Sequence, residues 1–266
     1  MVLEIVPADE SRMAEVEAWL DKEESAHSTA YAAWEANGYE GAGPVRGFRC
    51  NWGLVGRGWR KGDTKVFILV VNNQAVGFLY GTDILEIRPD LRQNGYGRIL
   101  ANFMLQTAYD EGRSLIEIEI APASAEPFWN RMGFTSVPTR QGNGGGIYAF
   151  KIFPRIFHLT GGERVPFSIA FYSQNEGYKA NPVPFSQFSG VGERLTDGSI
   201  QLPERAYCFQ PTDDQHVDYF IRINVGIGTF HYFDKAKRQQ SKLWGLKQDR
   251  GYIYFIDRIY PQSNLA

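Results

Sequence analysis

Apolar and polar residues alternate along the chain with two different periods, and the change of period marks out the elements. "VLEIVPA" reads as a short first strand. In "DESRMAEVEAWLDKEESA", Met13, Val16, Trp19 and Leu20 share one helical face behind an acidic first turn. "HSTAYAAWEA" predicts a second helix that stops at Asn37-Gly38, where the left-handed cap conformation costs little. From Tyr39 to Gly62 the glycines and arginines, with Trp52 and Trp59, read as an irregular or partly helical excursion. "TKVFILVVNNQAVGFLYGTD" predicts a hairpin turning at Asn72-Asn73, and "ILEIRP" a third strand ended by Pro89. Ile99, Leu100, Phe103, Met104 and Ala108 then recur at helical spacing up to Gly112. "SLIEIEIAP" alternates apolar and acidic residues, so Glu117 and Glu119 read as the wet face of a strand. A short helix "SAEPFWNRM", the segment "GFTSVP", a glycine turn "QGNGGG" and the strand "IYAFKIF" complete the order. Strands and helices mixed in this way predict an α/β sheet with helices on both faces.

After about residue 154 the helical period fades and aromatic residues become denser. "PFSIAFYSQ", "SIQLP", "AYCFQP", "VDYFIRINVGIGTFHYF" and "GYIYFIDRIYP" all read as strands between turn-rich segments. Residues 155–266 are therefore expected to form a β-rich domain, separate from residues 1–154, in which the aromatics fill a core.

Composition adds limits. An apolar fraction of 43% over 266 residues is that of a globular protein with a sizeable core. The net charge of −2 divides into −5 over residues 1–150 and +3 over the rest, too mild an asymmetry to demand a nucleic-acid partner. Residues 235–250 hold six basic residues and one acidic residue; a solvated helical face is the expectation, with a phosphate-tracking segment as its rival. Cys50 and Cys208 lack metal or disulfide spacing and read as lone buried thiols. His27, His158, His216 and His231 are scattered, so no metal is expected. No basic leader opens the chain and no run reaches the roughly 18 apolar residues of a membrane span, which predicts a cytoplasmic protein.

The chemistry gathers at "LEIRPDLRQNGYGRIL", residues 85–100. Glycines at 95 and 97 permit a tight turn that leaves successive backbone amides at a helix N-terminus, where donors and dipole favour a pyrophosphate. Arg92 and Arg98 can add charge-assisted bonds. Spacing alone decides little, because "QFSGVG" at 187–192 has it too. That copy lacks a preceding strand and a following apolar helix, so it is expected to be a loop.

"LEIRPDLRQNGYGRILANFMLQTA" resembles the acetyl-CoA-binding segment of the GCN5-related N-acetyltransferase (GNAT) family, and "AEPFWNRMGF" resembles the family's downstream "A-x-x-F-Y-x-x-x-G-F" segment. The resemblance covers residues 1 to about 154 and implies a mixed central sheet, with acetyl-CoA as co-substrate. It implies that Leu85, Glu86 and Ile87 pair with the pantetheine arm and that Arg92, Gln93, Asn94, Gly95, Tyr96, Gly97 and Arg98 surround the pyrophosphate. Phe128 and Trp129 would pack beside pantetheine and thioester, with Asn130 and Arg131 nearer the exit.

Transfer to an amine, small molecule or peptide, needs a base because an aliphatic ammonium is charged at neutral pH. Glu86 is the first candidate and Asp83 the second. Two positions depart from the family. Trp129 stands where a tyrosine often serves as acid, and Pro122, seven positions earlier, replaces a common asparagine. An indole N–H has no useful acidity near neutrality. Two other readings stay open: a CoA-binding protein without transfer, and transfer to a nucleic-acid-linked amine.

Overall fold

A computed structural model describes residues 2–82, 84–211, 218–226 and 230–261, the last span without the side chains at 230 and 231. The chain divides into two compact units, residues 1–111 with 118–134, and residues 112–117 with 135–266.

The first unit opens with β1 (Leu3–Pro7), followed by the 27-residue α1 (Glu10–Ala36). Asp9 caps α1 by accepting the Arg12 amide at 2.8 Å. The break expected before "HSTAYAAWEA" does not occur, and α1 runs on without interruption. Its polar residues there bond back onto the helix: the Ser25 hydroxyl donates to the Asp21 carbonyl (2.8 Å) and the Thr29 hydroxyl to that of Ser25 (3.0 Å). Neither glycine nor proline interrupts the stretch, and the helix stops where predicted, at Asn37 followed by Gly38 with φ +70°.

The stretch from Tyr39 to Gly62 is more ordered than its glycines suggest. A 3-10 turn (Phe48–Asn51) leads into α2 (Trp52–Lys61). Tertiary packing overrides propensity here. Trp52 and Val55 are buried, the Trp52 ring lies 5.2 Å from that of Phe78, and a Cβ at Gly58 would meet the Tyr80 hydroxyl at 2.1 Å.

β2 (Val66–Val71) and β3 (Gln74–Tyr80) form the predicted hairpin, with Asn72 (φ 48°) and Asn73 (φ 64°) both in the left-handed region that a two-residue turn requires. β4 (Ile84–Ile87) follows, and the sheet order is β1-β2-β3-β4, each pairing antiparallel. The 15-residue α3 (Tyr96–Asp110) buries Leu100, Ala101, Met104 and Ala108, and both α1 and α3 pack on β3. β5 (Leu115–Ile120), α4 (Glu126–Arg131), β6 (Thr135–Gln141) and β7 (Ile147–Ile152) complete the predicted succession, with a second sheet of order β5-β7-β6. Helices and sheets thus form a mixed α/β fold, and a larger β-sheet follows it.

The second unit centres on that seven-stranded sheet: β8 (Arg164–Tyr172), β9 (Ser186–Arg194), β10 (Ile200–Cys208), β11 (Phe220–Val225), β12 (Phe230–Lys235), β13 (Lys247–Gln248) and β14 (Tyr254–Ile259). Their order is β12-β11-β8-β9-β10-β14-β13. Short helices α5 (Gln174–Gly177) and α6 (Gln239–Leu243) interrupt the connections. Phe167, Phe171, Tyr219, Tyr232, Trp244 and Tyr254 are buried among Ile169, Ile200, Leu202, Ile221, Ile223 and Ile256, so the aromatics fill a core.

Residues 112–117 join this unit through polar anchors. Buried Arg205 donates to the Gly112 carbonyl (2.6 Å) and the Ser114 hydroxyl (3.2 Å) while pairing with Asp257 at 2.7 Å, and Asp249 accepts the Ser114 amide at 2.6 Å. Glu117 is only partly wet. Buried Tyr148 donates its hydroxyl to Glu117, and Arg140 lies 3.7 Å from that carboxylate and 3.7 Å above the Tyr148 ring.

Several expectations are corrected. "QFSGVG" is no loop: it lies within β9 and pairs along its length with β8, while β10 pairs with the two residues that follow it, Glu193 and Arg194. Residues 235–250 do not form one helical face, because only Gln239–Leu243 are helical, and Trp244 is buried against Tyr232. Cys208 is buried, but Cys50 is exposed. His216 and Asp83 lie outside the described residues. Among the described residues no helix is long and apolar enough to cross a membrane.

Candidate functional site

The site begins at the free edge of β4. Its register with β3 pairs Gly77 with Ile87, Phe78 with Glu86, Leu79 with Leu85 and Tyr80 with Ile84. A glycine at 77 makes this approach tolerable, since a Cβ there would lie 2.7 Å from the Glu86 carbonyl oxygen and 2.5 Å from the Ile87 side chain. The Arg88 amide donates to the Val76 carbonyl at 2.9 Å, so in an antiparallel ladder residues 84, 86 and 88 direct their backbone groups toward β3. Those of Leu85 and Ile87 therefore face the opposite edge, along which no strand pairs among the described residues. Leu85 presents an N–H and a C=O there, two groups poised to accept an extended ligand as a strand would be accepted.

At Ile87 the same edge is closed by side chains. The Ile87 amide donates to Glu86 Oε1 at 3.2 Å, Arg92 Nε donates to the Ile87 carbonyl at 3.1 Å, and Arg92 Nη2 donates to Glu86 Oε1 at 2.8 Å. Arg92 also stands 3.6 Å from Glu23 of α1. Burial pushes the Glu86 carboxyl above its ordinary value, the guanidinium of Arg92 opposes that rise, and the neighbouring Glu23 adds slightly to it.

Beyond a 3-10 turn over Pro89–Leu91 the chain enters the glycine loop. Gln93 (φ 69°) and Gly95 (φ 83°) both take left-handed backbone, and Gly95 caps α3 without any side-chain bond to its first turn. The Asn94 amide group donates to the Leu91 carbonyl (3.1 Å), which shapes the turn from inside. The first amide with a backbone acceptor is Arg98, bonded to Gly95 at 3.1 Å. Among the described residues, the amides from Gln93 to Gly97 have no protein acceptor. Consecutive free donors at the N-terminus of a long helix suit an anion by geometry and dipole together.

Three of the residues expected at the site converge. A Cβ on Gly97 would touch the Phe128 ring at 3.6 Å and Ile87 at 3.8 Å, which brings the second glycine, the end of β4 and α4 together. Trp129 continues from Phe128 (ring centroids 5.0 Å apart) to Phe134 (5.2 Å). Asn130, Arg131 and Arg98 are exposed. Arg92, expected at the phosphate, is instead turned to Glu86 and Glu23. Sequence reasoning missed Glu23, although a signal existed: it extends the buried helical stripe of Val16 and Leu20 by one more turn, a carboxylate where an apolar residue is due. Its Oε2 is buried without a hydrogen-bond partner among the described residues.

No protein-family model and no curated protein matches the sequence. Among solved structures, the chain is similar to acetyltransferases of the GNAT family. These include one from Staphylococcus aureus Mu50 (10% identity, TM-score 0.39, covering 57% of this chain and 99% of that one). Another is the Thermoplasma acidophilum PaiA N-acetyltransferase in complex with coenzyme A (12%, 0.40, 57% and 100%). A third is the ribosomal-protein-alanine N-acetyltransferase of Brucella melitensis (14%, 0.39, 56% and 99%).

Proposed function

We propose that this chain is an acyl-CoA-dependent N-acyltransferase that carries an acetyl group from acetyl-CoA to an amine-bearing small molecule or peptide. One observation carries the reading: the run of unengaged amides from Gln93 to Gly97 begins just beyond a strand whose outer edge at Leu85 is also unpaired. A diphosphate joined to an extended, amide-containing arm complements both features at once. The free donors take the phosphates, and the Leu85 edge pairs with the arm's amide groups. Gly97 brings this turn close to Phe128 and Ile87, which supply an apolar neighbour to the free amides.

Glu86 is the base. Burial raises its affinity for a proton, which suits proton removal from an ammonium better than an ordinary carboxylate does. As the new C–N bond forms and the C–S bond breaks, the amine's proton passes to Glu86 and the sulfur departs as thiolate. A thiol with a pKa of about 8.5 can leave in this way without a dedicated acid, which accommodates Trp129. The hydroxyl of Tyr148 is committed to Glu117, and burial first, then that bond, raises its pKa, so it is poorly suited to supply the proton.

The test is release of free thiol from acetyl-CoA in the presence of a panel of amines, peptides and aminoacyl-tRNA. Glu86→Gln is expected to lower kcat by about 10²- to 10⁴-fold while leaving acetyl-CoA binding in place. A second reading, CoA binding without transfer, draws on the ties that Glu86 already has to Arg92 and the Ile87 amide. Acetyl-CoA binding with no thiol release from any acceptor would decide for it.

A further inference from the structure

Arg92 occupies the position in the glycine motif from which an arginine would be expected to reach a phosphate, yet its contacts lie elsewhere. Its Nε donates to the Ile87 carbonyl and its Nη2 to Glu86, while Glu23 of α1 lies 3.6 Å away on its other flank. These contacts form a closed circuit, because Glu86 Oε1 also accepts the Ile87 amide. The guanidinium fork thus holds one carboxylate against the β4 backbone and approaches a second from a different element.

We propose that Arg92 is a positioning residue, which fixes Glu86 at the free edge of β4 and balances it against Glu23, rather than a ligand of the cofactor's phosphates. The charged groups that face Glu86 are Arg92 from the glycine loop and Glu23 from α1; opposite it on β3 stands Phe78, which carries no charge. Arg92 and Glu23 therefore act on Glu86 with opposite sign: the guanidinium favours its ionised form and the second carboxylate opposes it. Glu23 meets this role from a confined position. Its carboxyl lies where a Cβ on Gly47 would come within 2.3 Å, so the loop before Phe48 closes over it and leaves little room for another rotamer. Arg92 itself is about half exposed, which keeps the balance adjustable by solvent and by whatever enters the edge.

The experiment is titration of the Glu86 carboxyl by ¹³C NMR in the full-length protein, with the signal assigned by its loss in Glu86→Gln. Three variants and a parallel calorimetric titration with coenzyme A accompany it. Arg92→Gln is expected to move the Glu86 midpoint up and Glu23→Gln to move it down. Arg88→Gln, which removes a nearby guanidinium that pairs with Asp90 instead, is expected to leave it in place. Opposite movements in two variants cannot come from a common loss of folding. In the calorimetric arm, Arg92→Gln is expected to change the dissociation constant for coenzyme A by less than about fivefold, as suits a half-exposed charge off the phosphate path. An unmoved Glu86 midpoint in Arg92→Gln, an equal shift in Arg88→Gln, or a tenfold or greater loss of coenzyme A affinity would each overturn the proposal. The inference rests on the proposed function only through this second arm. If the unmodified protein fails to bind coenzyme A, the transferase reading falls while the NMR titration still decides the role of Arg92.

Discussion

Residues 92–98 and residues 187–192 carry the same glycine spacing and use it for opposite ends. In the first segment Gly95 has φ +83°, no atom lies within 4 Å of where its Cβ would be, and the amides around it have no acceptor among the described residues. In the second, neither Gly190 nor Gly192 adopts a positive φ, and both lie in β9, paired with Phe167 and Val165 of β8. At Gly192 the missing side chain makes room, since a Cβ there would lie 2.6 Å from Ile200 and 2.7 Å from the Gln201 carbonyl oxygen, while one on Gly190 would only reach contact with the Phe167 ring at 3.4 Å. Around the first pair, backbone donors are left without an acceptor among the described residues, whereas at Gly192 the missing side chain lets a neighbouring backbone come close. The local spelling is shared, and the flanking elements decide the outcome.

The largest effect expected from this contrast is on binding. Gly95→Glu combined with Gly97→Glu places carboxylates among the free amides and should weaken acetyl-CoA binding by at least about a hundredfold, roughly 2.7 kcal/mol, in calorimetry. Next comes Gly192→Ala, which forces a Cβ against the Gln201 backbone and should cost about 1–3 kcal/mol of stability, read from the denaturation midpoint. Its effect on acetyl-CoA affinity per folded molecule should be negligible. Gly95→Ala, by contrast, meets no atom and should cost only about 1–2 kcal/mol through its left-handed backbone.

A further effect, confined to acid pH, concerns the carboxylate that follows the decoy motif. Glu193 accepts the Thr160 hydroxyl and the amides of Gly162 (2.9 Å) and Gly161 (3.1 Å), which hold its pKa down to about 2 from the usual 4.5. Since the folded value lies below the ordinary one, its contribution is complete above about pH 4.5 and fades as the pH falls toward 2. Denaturation followed across that range should show a larger loss in the unmodified protein than in Glu193→Gln, which keeps only the losses from other carboxylates.

Much of the fold was legible because period and punctuation agreed. The buried stripe of α1, the Asn72-Asn73 turn and the apolar face of α3 were all visible in residue order. Where reading failed, tertiary contacts had overruled local preference. α2 forms despite three glycines because Gly58 accommodates Tyr80 and Trp52 packs on Phe78. β9 forms because β8 supplies a partner for every residue of an unpromising "SQFSGVG", and β10 pairs with Glu193 and Arg194 just after it. At the candidate site the glycine loop and its strand were legible, since both depend on local backbone. The pairing of Arg92 with Glu86 and Glu23 was not, because it depends on how far α1 extends and on where the loop at Gly47 lies. Nothing in the glycine motif says which way an arginine will turn.

The central claim is that the amides from Gln93 to Gly97 and the edge of β4 at Leu85 are free because they receive acetyl-CoA. Residue-resolved amide hydrogen exchange, with and without saturating acetyl-CoA, tests this most directly. The account predicts new protection at Gln93 to Gly97 and at Leu85, with none gained across Ser186–Arg194. Binding that leaves those amides as exchangeable as before would contradict it, and so would the absence of any binding at millimolar ligand.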